Sequence, residues 1–172
     1  MRDIIRLDEN SRFADSETGP LFRSFFPKSR LLVYLNGELL GRESTEEKQE
    51  RQSQKPVAEL SLDFGKEKTT VAFGDLEYQC NTEKNDLKRT IYRIVSEGTG
   101  RSLPWGSTTG IRPTKEALTM VSDGKSDDEI RDFYREKYFT SDEKINESIE
   151  IAKAEHAILS QFPQTTDQNP RS

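Results

Sequence analysis

The sequence is poor in the residues that form covalent cross-links and metal sites. Its 172 residues include one cysteine, Cys80, and one histidine, His156. A single thiol forms no internal disulfide, and one cysteine with one histidine falls short of the ligand sets of protein zinc sites. Both side chains lie in or beside apolar patterns, so we expect them to be packed rather than reactive. The sequence therefore predicts no metal ligand and no catalytic residue in this chain.

Long apolar runs and an excess of positive charge are also lacking. No run approaches the roughly 20 apolar residues that a membrane helix needs, and residues 1–8 have no signal-peptide core. The formal net charge is −5, whereas nucleic-acid binding draws on clustered lysine and arginine. We therefore expect a soluble, cytoplasmic chain that binds neither a membrane nor nucleic acid.

The apolar residues that are present suffice for a modest core. Hydrophobic residues make up 31% of the chain and charged residues 33%, which favours a folded domain with highly charged surface segments. Short apolar segments in residues 1–100 predict the element order β-α-β-β-(β)-α, with an antiparallel meander after Pro56. This order indicates an α+β domain, a small and mostly antiparallel sheet with two helices on one face.

Residues 41–55 interrupt this pattern. They contain no aliphatic or aromatic residue but eight charged side chains. Such a segment adds nothing to a core, and mixed-sign charge runs are usually solvated surface. We therefore expect residues 41–55 to form a disordered loop between two strands.

Residues 101–162 predict a loop followed by three helices. Pro113 suits a first helical position and Gly124 the end of that helix. Ser126–Glu129 and Thr140–Glu143 read as two capping boxes, each followed by an apolar helical face. The polar residues 163–172 contain two prolines and are expected to form a loose tail.

The most unusual stretch is Leu103–Lys115, LPWGSTTGIRPTK, which combines the only tryptophan with two glycines, two prolines and four hydroxyl side chains. Two interpretations stay open. A loop that runs into a helix start can bind an anion through its backbone N–H groups, with Arg112 or Lys115 as the countercharge. Alternatively, Trp105 fills the seam between sheet and helices, and the glycines permit a tight backbone.

The same string resembles the LPWG-x-x-TGIRPTK segment of the HemZ-type coproporphyrinogen dehydrogenases. These are radical S-adenosylmethionine proteins related to oxygen-independent coproporphyrinogen III oxidase. The resemblance covers residues 83–160, whereas residues 1–82 resemble the family only in predicted element order. Besides the string it includes Leu87–Arg89, Ser126–Ile130, Tyr138, Ser141, Glu143–Lys144 and Ala152–Lys153. Thr108 departs from the pattern, because an aliphatic residue is expected there.

The resemblance implies the N-terminal, non-catalytic domain of such an oxidoreductase. The family holds its cluster with three cysteines spaced C-x-x-x-C-x-x-C, downstream of the helical segment. This chain has only Cys80, so the iron–sulfur cluster and S-adenosylmethionine are expected in the full-length parent and no cofactor in this chain. The parent would convert two propionates of coproporphyrinogen III to vinyl groups in haem (porphyrin) biosynthesis. This domain would brace or cover the C-terminal catalytic barrel of the same polypeptide.

Under this resemblance the candidate substrate-binding residues are Trp105, Thr109, Gly110, Arg112 and Lys115. We expect the last two cations to hold a propionate of the tetrapyrrole substrate, because carboxylates pair with cations. A stand-alone protein-interaction module without enzymatic activity is the alternative function. A helix-turn-helix DNA reader is disfavoured, since none of the three predicted C-terminal helices has a basic face.

Overall fold

The computed structural model describes residues 3–11, 18–109 and 113–161. These residues form a six-stranded sheet and six helices, so the α+β class is confirmed. In chain order the elements are β1 (Ile4–Glu9), α1 (Thr18–Phe25), β2 (Arg30–Leu35), β3 (Glu38–Leu39), α2 (Thr45–Ser53), β4 (Ala58–Phe64), β5 (Lys68–Phe73), β6 (Leu76–Asn81), α3 (Lys84–Thr99), α4 (Lys115–Ser122), α5 (Asp127–Tyr138) and α6 (Asp142–Gln161).

The sheet is mixed, with its parallel pairs at the centre. Its strand order is β3-β2-β1-β4-β5-β6. The central strand β1 runs parallel to both of its neighbours, β2 and β4. A parallel neighbour requires a crossover connection, which α1 provides between β1 and β2. The remaining pairings are antiparallel, and the meander predicted after Pro56 is confirmed as β4-β5-β6.

The main core lies on the face of the sheet that α1 and α3 cover. Ile5 and Leu7 of β1 point to this face because side chains alternate along a strand. The helix predicted at the end of residues 1–100 is confirmed as α3, and its leucine, isoleucine and valine side chains are buried. The core includes Ile5, Leu7, Leu21, Phe22, Phe25, Leu60, Leu62, Val71, Phe73, Leu87, Ile91, Tyr92, Ile94 and Val95.

The expectation of a disordered loop at residues 41–55 is wrong, because residues 45–53 form α2. A capping box starts this helix. The Ser44 hydroxyl accepts the Glu47 amide (3.2 Å), and the Glu47 carboxylate accepts the Ser44 amide (2.8 Å). The carboxylate of Glu43 then pairs with Arg51 of α2 (3.0 Å) and with Arg30 of β2 (3.4 Å). Every side chain of α2 stays at least partly exposed, so local caps and ion pairs, not burial, hold the helix.

The helical unit, residues 113–161, has its own core. Ile130 and Tyr134 of α5 pack against Ile145 and Ile149 of α6 and against Ala117 of α4. All five side chains are almost completely buried. The α4–α6 bundle therefore has a core separate from the sheet core.

The predicted ends of these helices are partly confirmed. Ser126 and Glu129 form a capping box as expected, and the Lys125 ammonium and Ser126 amide hold the pKa of Glu129 at about 2. At α6, however, Ser141 rather than Thr140 accepts the Lys144 amide (3.4 Å). The helix start predicted at Pro113 is also displaced, because α4 begins at Lys115.

Within the described ranges, no helix is both long enough and apolar enough to cross a membrane. The predicted tail at residues 163–172 lies outside these ranges.

The two capping boxes give a matched test of local against tertiary stability. Ser44→Ala is expected to destabilise α2 by about 1 kcal/mol, so amide hydrogen exchange in residues 45–53 should accelerate about fivefold. The global free energy of unfolding in urea should stay unchanged, because every side chain of α2 is at least partly exposed. Ser126→Ala should instead lower the global free energy of unfolding by about 1 kcal/mol, since α5 carries core residues. Equal global losses would contradict the assignment of α2 as a locally held helix.

Candidate functional site at the joint between sheet and helices

Residues 103–109, here called the joint loop, connect the sheet to the helical unit through backbone contacts. The Ser107 amide donates to the Tyr138 carbonyl (2.7 Å), and the Ser141 amide donates to the Pro104 carbonyl (2.9 Å). The loop is tightly turned, because the Gly106 amide also donates to the Leu103 carbonyl (2.9 Å). The joint loop is therefore fixed on the connection between α5 and α6.

Gly106 is the residue that permits this approach. Its φ of 57° lies in the left-handed region that favours glycine. A Cβ atom placed on Gly106 would lie 1.8 Å from the carbonyl oxygen of Tyr138 and 2.6 Å from the carbonyl carbon of Phe139. Backbone therefore packs directly on backbone here, and no larger residue fits without moving one of the two segments.

Aromatic side chains fill the seam beside this contact. The rings of Tyr92 on α3 and Phe139 after α5 are stacked, with centroids 5.4 Å apart and planes 13° apart. The Arg89 guanidinium lies 5.3 Å from the centre of the Phe139 ring. Leu103 and Phe139 both pack on the sheet core. Leu103 and Phe139, rather than Trp105, thus fill the seam.

The described candidate residues do not all converge on one point. Trp105 is half-buried, and its ring lies 5.7 Å from the Lys144 ammonium of α6. Thr109 accepts a hydrogen bond from the Lys88 ammonium of α3. Lys115 is exposed at the first position of α4. Gly110 and Arg112 lie outside the described residues.

A small polar cavity lies where the joint loop meets α3 and the end of α5. Its volume is about 190 Å³. Three ammonium groups and four hydroxyl groups line it, with one amide side chain. The lining residues are Lys84, Asn85, Lys88, Ser107, Thr108, Thr109, Lys137 and Tyr138. Among these described residues there is no carboxylate, so the lining is suited to a negatively charged group.

One carboxylate reaches the edge of this lysine–hydroxyl cavity. Glu116 of α4 accepts hydrogen bonds from Lys137 (3.2 Å) and from the Tyr138 hydroxyl (2.8 Å). Partial burial lowers the pKa of the Lys137 ammonium, but the hydrogen bonds with Tyr138 and Glu116 outweigh it, and the net pKa is raised. Burial, with Glu116, also raises the pKa of Tyr138. Both groups therefore keep their protons near neutral pH, and Lys137 brings a full positive charge.

Thr108 brings a buried hydroxyl to the same cavity. Its Oγ1 atom is buried and has no hydrogen-bond partner among the described residues. A buried hydroxyl without a partner carries a desolvation cost of about 1–3 kcal/mol.

Tyr134 ties the start of α4 to the helical core. Its hydroxyl donates to the Pro113 carbonyl (2.7 Å) and accepts the Ala117 amide (3.1 Å). Burial raises the pKa of Tyr134 to about 12, although the Ala117 amide acts in the opposite direction. This buried phenol therefore holds the chain immediately after the TGIRP sequence in a fixed position.

The thiol and the imidazole lie away from this cavity. Cys80 is half-buried, and burial raises the pKa of its thiol. His156 is also partly buried, and its Nδ1 lies 3.2 Å from the Ser122 hydroxyl. Among the described residues, no group of three histidine, cysteine or acidic side chains could hold a metal ion. The one thiol of the sequence is also too few to hold an iron–sulfur cluster, which is bound by several cysteine thiolates.

Size does not single out the lysine–hydroxyl cavity. Cavities of about 500 Å³ lie along β4 and beside the turn after α1. In the first of these, Asp8 is already paired with Arg6 (2.6 Å). The smaller cavity is distinguished by the convergence of like charges with the motif residue Thr109.

Sequence reasoning missed the lysines of this cavity. Lys84 and Lys88 come from α3, and Lys137 from the last turn of α5, so only the tertiary fold brings them to Thr109. One signal was present, because Lys88 occupies a position next to Leu87 on the otherwise apolar face of α3 and is 8% exposed. A lysine within an apolar stripe points to a specific partner.

Comparison with known proteins gave no match to a family model, to a curated protein or to a solved structure.

Two glycine substitutions test the backbone contact at the joint. Gly106→Ala is expected to lower the free energy of unfolding by roughly 3 kcal/mol or more, because it combines left-handed strain with a clash against Tyr138. Gly124→Ala is the matched control. Its φ of 75° is also left-handed, but a Cβ there meets nothing within 4 Å, so a loss of about 1–2 kcal/mol is expected. Urea unfolding measures both, and equal losses would contradict the close approach.

Tyr134→Phe tests the clamp on α4. Removing the hydroxyl leaves the Ala117 amide and the Pro113 carbonyl unpaired, with an expected loss of about 1–3 kcal/mol in urea unfolding. The exposed hydroxyl of Tyr78, which binds Glu97, provides a control, and Tyr78→Phe should have little effect.

The same clamp predicts an alkaline transition. A raised pKa means that Tyr134 stabilises the fold fully below its unfolded value of about 10. This contribution is lost as the pH rises from about 10 through the folded value of about 12. Absorbance at the phenolate band should show one tyrosine titrating last, together with unfolding. If the Tyr134→Phe variant keeps this late titration, a tyrosine other than Tyr134 is responsible for it.

Proposed function

We propose that this chain is the N-terminal, non-catalytic part of a HemZ-type radical S-adenosylmethionine coproporphyrinogen III dehydrogenase of cytoplasmic haem biosynthesis. Its role there is to brace or cover the catalytic barrel of the same polypeptide. The observation that carries the proposal is the string LPWGSTTGIRPTK at residues 103–115. Its first seven positions, residues 103–109, form the joint loop, so the resemblance includes a structurally constrained segment.

The geometry of the joint supports a positioning role. Gly106 and Tyr134 fix the two sides of the motif through a backbone contact and a buried phenol. The cavity beside Thr109 gathers ammonium and hydroxyl groups, which suits a substrate with four carboxylates. Rigid elements that hold polar groups in place are what substrate positioning requires.

The chemistry itself would lie outside this chain. By the resemblance, each of two propionate side chains loses CO2, gives one hydrogen atom to a radical and one electron to an external electron acceptor, and becomes a vinyl group. The cluster and S-adenosylmethionine would supply the radical that removes the hydrogen atom. Cys80 cannot hold such a cluster alone, so the residues described here bind, orient or shield the substrate.

The alternative, a stand-alone protein-interaction module, has one observation in its favour. Ile151, Ile158 and Leu159 of α6 are 50%, 58% and 51% exposed. Exposed apolar side chains on one helix are typical of a surface that meets a protein partner. The same surface would equally serve contact with a barrel in the parent polypeptide.

The test is to purify the complete encoded polypeptide without oxygen and to supply coproporphyrinogen III, S-adenosylmethionine, a reductant for the cluster and a separate electron acceptor. We expect formation of 5′-deoxyadenosine and of protoporphyrinogen IX, detected as the porphyrin after oxidation, and neither product from residues 1–172 alone. Gly106→Ala in the complete polypeptide should reduce product formation more than Gly124→Ala. A complete polypeptide that lacks the cysteine triad and forms no 5′-deoxyadenosine would overturn the proposal in favour of the interaction module.

A further inference from the structure

The two edges of the sheet differ in how they are ended. On one side, the edge strand β3 has only two residues, Glu38–Leu39. On the other side, β6 presents six residues, Leu76–Asn81, which contain no proline and pair with β5 in continuous register. Short length, prolines and bulges are common means of keeping further strands off a sheet edge. β6 has none of these, so it is the edge at which another strand can add.

The backbone of β6 has groups available for such a strand. Every second residue of β6 exchanges hydrogen bonds with β5, and the residues between them turn their N–H and C=O groups outward. Because the hairpin closes through a two-residue turn, the outward residues are Glu77, Gln79 and Asn81. Among the described residues, no backbone hydrogen bond outside the sheet involves β6.

A groove of about 330 Å³, here called the edge groove, lies where β6 meets α3. It is lined by Lys68, Gln79, Cys80, Asn81, Asp86, Arg89, Thr90 and Arg93. Three of these side chains are cations. The one carboxylate in this lining, Asp86, already accepts a hydrogen bond from the Asn81 amide group (2.8 Å). The edge groove therefore has an excess of positive charge, in a chain whose formal net charge is −5.

The two arginines of the edge groove lie against aromatic rings rather than against acids. Arg93 is exposed, and its guanidinium lies 5.4 Å from the centre of the Tyr78 ring. Arg89 is partly buried beside the Phe139 ring, and its Nε atom has no hydrogen-bond partner in the part of the chain that the structure describes. Neither guanidinium has a carboxylate partner there, so both charges are available to a ligand.

The helix α3 runs antiparallel along β6, and the arginines lie between two contacts that show this. Asn81 at the end of β6 contacts the first turn of α3, and the Tyr78 hydroxyl donates to Glu97 near the end of α3. Arg89 and Arg93 are four residues apart, or about 6 Å along the helix axis. Alternate residues of a strand are about 6.6 Å apart. Two alternate carboxylates of an added strand thus match the spacing of the two arginines.

We propose that the edge groove binds an acidic peptide, which adds to β6 as a further strand and places alternate carboxylates against Arg89 and Arg93. Main-chain pairing with the edge gives affinity, and the contacts of alternate side chains give specificity. Because side chains alternate along a strand, every second peptide residue faces α3, and an acid is favoured at those positions. The inference does not depend on the proposed function.

Charge argues against a second copy of this chain as the occupant. Two β6 strands paired edge to edge would bring the arginines of both copies close together, and like charges repel. An acidic strand meets the same arginines with the opposite sign. Guanidinium and carboxylate groups also form bidentate hydrogen bonds, which fix the orientation of the ligand.

The experiment measures the binding of two fluorescein-labelled peptides to residues 1–172 by fluorescence anisotropy at low ionic strength. Peptide GVETEVTG has acids at alternate positions. The control GVEETVTG has the same composition with adjacent acids, which point to opposite faces of a strand. We expect GVETEVTG to bind about fivefold more tightly, as one additional ion pair at the surface implies. Equal affinities would overturn the matching of alternate acids to the two arginines.

A pair of arginine variants tests the groove itself. Arg93→Gln should weaken the binding of GVETEVTG about fivefold. Arg42→Gln is the matched control, because Arg42 is also exposed but does not line the edge groove, and its affinity should equal that of the unchanged protein. The same loss in both variants would show that only the overall charge matters, and the edge groove would be rejected as the site.

Two further changes test the main-chain pairing. Gln79→Pro removes an outward N–H group without removing a bond to β5, so the circular dichroism spectrum should be kept and the binding of GVETEVTG lost. N-methylation of alternate amides of the peptide leaves the protein unchanged. One alternate set should abolish binding and the other should preserve it, because only one set pairs with β6. Binding that survives both methylated sets would overturn strand addition.

Sedimentation separates the peptide from a second copy as the occupant. We expect the unchanged protein to remain monomeric at concentrations at which GVETEVTG binds. A dimer that the Gln79→Pro variant fails to form would show that β6 pairs with its own copy, and the acidic-peptide proposal would be wrong.

Discussion

The close approach of Gly106 to the Tyr138 carbonyl is the constraint on which the joint depends. The joint loop meets the α5–α6 connection backbone to backbone, and each of these two segments donates one amide to the other, Ser107 to Tyr138 and Ser141 to Pro104. The positions of the side chains on both segments are then set by this backbone contact. The first turn of α3 and the last turn of α5 both reach this loop, and the three segments together line one cavity.

The sheet core and the helix core are each closed by their own apolar side chains. The seam between them is made of stacked aromatic rings, backbone hydrogen bonds and the contact of Arg89 with the Phe139 ring. Tyr92 and Phe139 give the seam its packed part. Polar groups that a core would exclude can gather beside them without weakening either core. A site for a charged ligand is therefore compatible with this joint in a way that it would not be within either layer.

Sequence periodicity predicted the elements that bury an apolar face. Three features could be predicted because each has a regular sequence pattern. They are the helix α3, the meander β4-β5-β6 and the Ser126 cap of α5. α2 was missed because it has no such pattern. The sequence feature that indicates α2 is local, namely the Ser44–Glu47 capping box. The lack of apolar residues in this segment favoured a loop instead.

The candidate site was only partly readable. Thr109 was identified from the motif, but its partner Lys88 and the neighbouring Lys137 were not, because tertiary packing alone brings these positions together. One of the two interpretations of the motif placed Trp105 in the seam, yet Leu103 and Phe139 are the side chains that pack on the sheet core there. Phe139 achieves this from a left-handed backbone conformation, with a φ of 58°, which composition does not reveal.

The central position of β1 has a consequence for how the chain reaches this structure. Ile5 pairs with Leu31 on one side and with Ala58 on the other, so the middle of the sheet closes only after a long loop has been brought together. Contacts of this range slow folding, whereas helical hairpins form from local contacts. We therefore expect the bundle of α4, α5 and α6 to fold before the sheet is complete. We therefore expect the joint loop, which contacts both the sheet core and the helical unit, to become ordered after both.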